Sequence, residues 1–163
     1  MKAKIKKQKI VPFLWFDKNA EQAVNFYVSL FKNSRIVDVM FYGEAGPMPK
    51  GTVMTITFEL EGQRFIALNG GPNFKFSPAI SLFVNCTDQK EVDHLYKKLA
   101  AGGEELQCAW VTDKFGVTWQ IVPTILLDLL SDKDATKVKN VTLAMFKMKK
   151  IDIKKLQAAY REK

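Results

Sequence analysis

A chain of 163 residues, 47% hydrophobic and 26% charged, has the make-up of one globular domain or two small modules sharing a core. It is too short for a large multidomain enzyme. Its formal charge of +8 raises a nucleic acid or an acidic membrane as partner, but that charge is unevenly spread. Five lysines and no acid occur in residues 1–9 (Lys2, Lys4, Lys6, Lys7, Lys9). Ten bases and three acids follow in residues 133–163, and ten bases face fourteen acids in between. The body is mildly acidic, and the positive charge belongs to the two ends.

Two cysteines, Cys86 and Cys108, are too few for a disulfide scaffold, and no CxxC occurs. One histidine excludes a His-rich metal site. The basic N-terminus lacks the apolar stretch of a secretory signal, and no apolar run is long enough to span a bilayer. These features predict a cytoplasmic protein in a reducing compartment, with no membrane partner.

Ile10 to Phe16 reads as a buried strand. Asn19 then caps a helix with Gln22 as its capping-box partner, and Ala23, Phe26, Tyr27, Leu30 and Phe31 form an apolar stripe at helical spacing. Arg35 to Tyr42 is rich in β formers, and GEAGPMPKG (43–51) is a loop. Thr52 to Leu60 alternates, with Met54, Ile56, Phe58 and Leu60 on one side and Thr55, Thr57 and Glu59 on the other. Glu61-Gly62 turns the chain into a further strand, Gln63 to Asn69, and GGPNFKFSP (70–78) is a second loop.

The pattern then restarts. Ala79 to Asn85 is an apolar strand. Asp88 caps a helix with Glu91, and Val92, Leu95, Tyr96, Leu99 and Ala100 form its stripe. A shift of 69 residues superposes strand, cap and stripe on the first set, which indicates an internal duplication. Glu104 to Val111, a turn at Thr112 to Gly116 and a strand from Val117 to Pro123 complete the second module. Ile125 to Leu130, Ala135 to Lys147 and Ile151 to Tyr160 read as helices, with a stripe of Val138, Val141, Thr142, Met145 and Met148. The predicted divisions are a basic extension (1–9), two modules (10–78 and 79–123) and a helical tail (124–163). The tail is expected to pack on the body or on a second subunit.

A repeated strand–helix–strands module resembles the vicinal oxygen chelate superfamily, the glyoxalase/bleomycin-resistance fold. The stretches FLWFDKNAEQAVNFYVSLFKNSRI, YGEAGP, FIALNGGPNFKFSPAISLFVNC and DKFGVTWQIVPT, in that order, resemble its PhnB-like branch, often labelled 3-demethylubiquinone 3-methyltransferase-like. The tail AMFKMKKIDIKKLQAAY is also similar to that family's ending. The resemblance implies an α+β fold, two βαβββ modules forming a cup-shaped mixed sheet, followed by the helical tail and usually completed as a homodimer.

Metal-dependent members of the superfamily carry His or Glu at four inward strand positions. Matched strand by strand, these are Pro12, Ala67, Ser81 and Gln120 here, or Phe13, Leu68, Leu82 and Ile121 after a slip of one. Neither set holds an ion, and His94 lies on the second helix, so a metal-free protein is expected. Alternation from the first set turns Leu14, Phe16, Phe65, Asn69, Phe83, Thr118 and Val122 into the cup. Trp15, Ile66, Leu68, Leu82, Val84, Trp119 and Ile121 then face the helices.

The predicted ligand-binding set is Phe16, Thr55, Thr57, Glu59, Phe65, Asn69, Phe74, Ser81, Phe83 and Gln120: aromatic walls with a few polar groups, as small-molecule sites have. The same positions also suit a core or a dimer interface. Glu59 is either a base of raised pKa in an apolar cup or a solvated strand-end carboxylate. Phe74 and Phe76 in the GGPNFKF loop either lid a ligand or belong to a plain crossover. DKFG is a turn whose glycine supplies a positive φ. No glycine-rich strand-to-helix turn of the kind that cradles S-adenosylmethionine occurs, so no cofactor is expected.

The first functional reading is a metal-free, homodimeric protein binding a small, largely apolar molecule, with no catalytic residue assigned. The second is a methyltransferase-like or lyase activity on an aromatic or quinone-like substrate. The third, a nucleic-acid-associated protein using its basic ends, is disfavoured because the lysines lack interleaved aromatics.

Overall fold

Of the apolar run from Ile10, only Phe13–Phe16 (β1) pairs as a strand in the computed structural model of the protein, which describes residues 8–162. Most of the lysine-rich head lies outside the described residues. β1 runs parallel to β4 (Gln63–Asn69), a pairing that needs a crossover, and helix α1 (Ala20–Leu30) supplies it. β2 (Arg35–Phe41) and β3 (Val53–Leu60) complete an antiparallel remainder, giving the order β1-β4-β3-β2.

The Glu61-Gly62 turn takes positive φ at both residues (46° and 82°), the conformation a two-residue hairpin requires. It fixes Leu60 opposite Gln63, and hence Phe58 opposite Phe65 and Ile56 opposite Ala67. These inward pairs, with Leu14 and Phe16 of β1, are buried beneath α1, which contributes Ala23, Val24 and Tyr27. The Phe58 ring stacks on Phe65 at 5.3 Å and lies 6.5 Å from Tyr27.

The predicted capping box of α1 is absent, because Asn19 makes no side-chain cap bond. Asn69 does this work from β4 instead: the Ala20 N–H donates to its Oδ1 at 2.9 Å.

The second unit repeats the arrangement. The chain divides between Lys75 and Phe76. β5 (Leu82–Cys86), α2 (Gln89–Ala100), β6 (Glu104–Glu105), β7 (Trp110–Thr112) and β8 (Thr118–Pro123) form a sheet of order β5-β8-β7-β6. Again the first and last strands are parallel. β5 is shorter than predicted, since Ala79 and Ile80 lie outside it and are exposed. Here the cap is as expected: Asp88 accepts from the Glu91 N–H at 2.8 Å, and the Glu91 carboxylate accepts from the Thr87 N–H. Val92, Leu95, Tyr96 and Leu99 are buried on the sheet with Val111, Trp119 and Ile121. The DKFG turn closes β7 onto β8, with Gly116 at φ 90°.

Three helices follow: α3 (Thr124–Leu130), α4 (Ala135–Phe146) and α5 (Ile153–Arg161). Asp134 and Asp152 cap α4 and α5. The tail packs on the second unit through Leu126, Val141, Ile151 and Leu156, gathered around Ala109 and Val122. Two backbone bonds add to this, Cys108 N–H to Met148 O and Ala109 N–H to Lys149 O, at 2.9 and 2.8 Å. They hold two non-glycine residues in the left-handed region (φ 57° and 71°), a conformation that persists only where surroundings dictate it. Among the described residues no helix is long and apolar enough to cross a membrane.

Candidate functional site

The first sheet has a second face, opposite α1. Strand register builds it as three rows. Arg64, Glu59 and Arg35 form the first. Phe13, Ile66, Thr57 and Asp38 form the second. Trp15, Leu68, Thr55 and Met40 form the third. Phe13 and Met40 are 54% and 53% exposed.

The GGPNF loop fixes Trp15 at one border of this face. The Trp15 indole N–H donates to the Gly71 carbonyl at 2.9 Å, and Phe74 meets the ring edge-on at 5.0 Å. A Cβ at residue 70 would lie 2.4 Å from the indole, so Gly70 is what lets the ring lie against the loop. The result is an aromatic rim with Phe74 largely exposed.

The opposite border is ionic. Glu59 bonds Arg35 at 2.9 Å and Arg64 at 2.8 Å, with its side chain 15% exposed. The Arg64 hydrogen bond, helped by Arg35, holds its carboxyl below the usual glutamate range. Glu59 is therefore neither a base of raised pKa nor a solvated strand end, because two guanidinium groups neutralise it. A carboxylate whose pKa is depressed by folding adds stability above the unfolded value and loses it as pH falls through the folded one. Glu59→Gln is accordingly expected to destabilise the protein at neutral pH and to converge with the unaltered chain in acid. Urea unfolding at both pH values measures this; a gap independent of pH would contradict the ion-pair origin.

The structure splits the predicted site residues. Thr55, Thr57 and Glu59 lie on the open face, and Phe74 lies at its rim. Phe16, Phe65 and Asn69 do not: they sit on the opposite face, buried toward α1, while Trp15, Ile66 and Leu68 take the open side. The cause is one residue. The shift of 69 aligns the helix caps, but Phe16 lies three residues before Asn19 and Cys86 only two before Asp88. Carried into the strands, the shift is out by one, and a slip of one inverts every side chain.

In the second unit the expected faces hold. Ser81, Phe83 and Gln120 stand opposite α2's side, and Gln120 Nε2 donates to Ser81 Oγ at 2.8 Å. Thr118 shares that face but is buried, its hydroxyl 3.4 Å from that of Thr112. Val122 is taken up by the tail cluster. Trp110 joins this face opposite Gln120, a neighbour the predicted set omitted.

Neither face has the donors of a metal centre. Among the described residues no three His, Cys, Asp or Glu side chains are gathered for an ion, and His94 is exposed on α2. The strand-to-helix links, Asp17–Asn19 and Thr87–Asp88, contain no glycine and so do not fit a nucleotide-type cofactor.

Residues 8–122 match the family model of 3-demethylubiquinone-9 3-methyltransferase. Among solved structures, the PhnB protein of Bacillus cereus is 42% identical over 72% of this chain and 100% of its own, with a TM-score of 0.66. A protein of Pseudomonas aeruginosa, 22% identical over 69% of this chain and 95% of its own, shares the fold at a TM-score of 0.57. No curated protein matches. The family match ends at residue 122, so the helical tail, expected from its wording to belong to the family, lies beyond it.

Proposed function

Since the chain belongs to the 3-demethylubiquinone-9 3-methyltransferase family, the PhnB-like branch of the vicinal oxygen chelate superfamily, we propose that it binds a small, largely apolar molecule of aromatic or quinone type. The ligand lies on the open face of the first sheet, without a metal ion. The observation that carries this reading is the composition of that face: Phe13, Trp15, Ile66, Leu68 and Met40 around two hydroxyls, Thr55 and Thr57, with the exposed Asp38 at the β2 edge. Apolar walls with a few fixed polar groups suit a flat apolar ligand whose carbonyl accepts from a hydroxyl. Ser81 and Gln120, bonded to each other beside Phe83, offer the second unit's face a comparable polar pair. The pairing of Glu59 favours binding over base catalysis, because its proton affinity is lowered.

The protein acts as a cytoplasmic homodimer in this reading. Edge strand β2 supports self-association, since Ile36, Val37 and Phe41 are exposed on it. A thermal-shift screen of naphthoquinones and aromatic acids tests the ligand face. A stabilising compound whose shift is lost in Thr57→Arg and retained in Gln89→Ala is expected. A compound indifferent to Thr57→Arg would overturn the assignment.

A further inference from the structure

The helical tail lies beyond the family match, which ends at residue 122. Its outer side is unusual. Val141 is fully buried, and the opposite arc of α4 carries Leu143 and Phe146, which are 50% and 57% exposed. Lys139 and Lys147 stand four residues either side of Leu143, so both ammonium groups share that arc with the two apolar side chains. Lys155 of α5 lines the same groove as Leu143 and Lys147 and is exposed.

One acid, Glu162, lines the groove beside Leu143 and Lys147, and the other acids of the tail's helix starts are held by local bonds. Asp134 and Asp152 cap α4 and α5, and Asp132 accepts the Tyr160 hydroxyl. The arc therefore presents a net positive charge around an apolar pair, three lysines (Lys139, Lys147, Lys155) against the single carboxylate of Glu162.

We propose that this face of α4 docks on an anionic phospholipid surface. A helix with apolar side chains flanked by lysines suits a bilayer interface: the apolar groups enter the boundary while the ammonium groups meet lipid phosphates. Charge complementarity selects an anionic surface. The apolar pair selects lipid over nucleic acid, since Leu143 and Phe146 gain nothing from a phosphate backbone. The tail thereby gives the positive end of the chain a specific use.

Vesicle co-sedimentation of the full chain tests this. Binding is expected to phosphatidylcholine vesicles containing phosphatidylserine, not to phosphatidylcholine alone, and to weaken with added salt. The double substitution Lys139→Glu, Lys147→Glu is expected to weaken it tenfold or more, on the order of what two surface lysines contribute. Phe146→Ser is expected to weaken it at unchanged charge, with unchanged melting as the control for folding. No binding to either vesicle would overturn the proposal. So would binding that survives both variants, which would assign it to the lysines of residues 1–9, or binding to duplex DNA in preference to phosphatidylserine vesicles.

Discussion

Replacing Asp113 with alanine is expected to lower the free energy of unfolding by about 3–5 kcal/mol. Asp113 is buried, and its carboxylate is the acceptor around which the β7–β8 turn is built. Oδ1 accepts from the Phe115 and Val117 N–H groups at 2.8 and 3.1 Å, and Oδ2 accepts from the Trp119 indole N–H at 2.8 Å. Alanine strands three donors, two of them buried, and each buried unpaired donor costs about 1–3 kcal/mol. It also frees the Trp119 ring, whose packing under α2 is central to the second unit. Urea unfolding followed by tryptophan fluorescence measures the loss. Asp113→Asn keeps one acceptor oxygen and is expected to fall between the two. A loss below about 1 kcal/mol for alanine would mean that the turn does not depend on this carboxylate.

The second large effect belongs to Asn69. Asn69→Ala is expected to cost about 2–4 kcal/mol, as a loss of fold and not of ligand. The Asn69 side chain accepts from Ala20 N–H at 2.9 Å and donates to the Val53 carbonyl at 3.0 Å. It thus ties the start of α1 to β3 from a buried position on β4. The Tyr42 hydroxyl donates to the Asn69 backbone carbonyl at 2.7 Å, and that bond survives the substitution. A compound found to stabilise the protein should therefore bind the folded variant with unchanged affinity. Full stability with affinity lost would return Asn69 to the ligand face.

These two residues show where sequence reading succeeds and where it stops. The order of elements, the Glu61-Gly62 hairpin, the Asp88 cap and the duplication are local patterns, and each reappears in the fold. The face of β1 and β4 is not local, because it depends on the length of a three-residue link. The signal that resolves it was nevertheless in the chain. A two-residue turn at Glu61-Gly62 sets Phe58 opposite Phe65, so once Phe58 belongs to the helix side, Phe65, Ala67 and Asn69 follow.

What no pattern carried was pairing between distant residues. That Glu59 meets Arg35, that Asn69 caps α1 at the Ala20 N–H, and that Gly70 makes room for Trp15 each depend on contacts 24 to 55 positions apart, which only the folded chain brings together. The three-row face is correspondingly half legible: its threonines follow from the alternation of β3, while alternation from Pro12 and Ala67 sends Trp15, Ile66 and Leu68 to the wrong side.

The central claim is that the open face of the first sheet holds the ligand. The most direct measurement is the set of indole N–H resonances in a nitrogen-15 spectrum, recorded with and without a stabilising aromatic or quinone compound. The three tryptophans report different places: Trp15 on the open face beside Phe74, Trp110 on the second unit's face beside Gln120, and Trp119 in the core bonded to Asp113. A saturable shift of the Trp15 signal with Trp119 unmoved is the predicted result. A compound that binds while leaving the Trp15 signal in place would contradict the account.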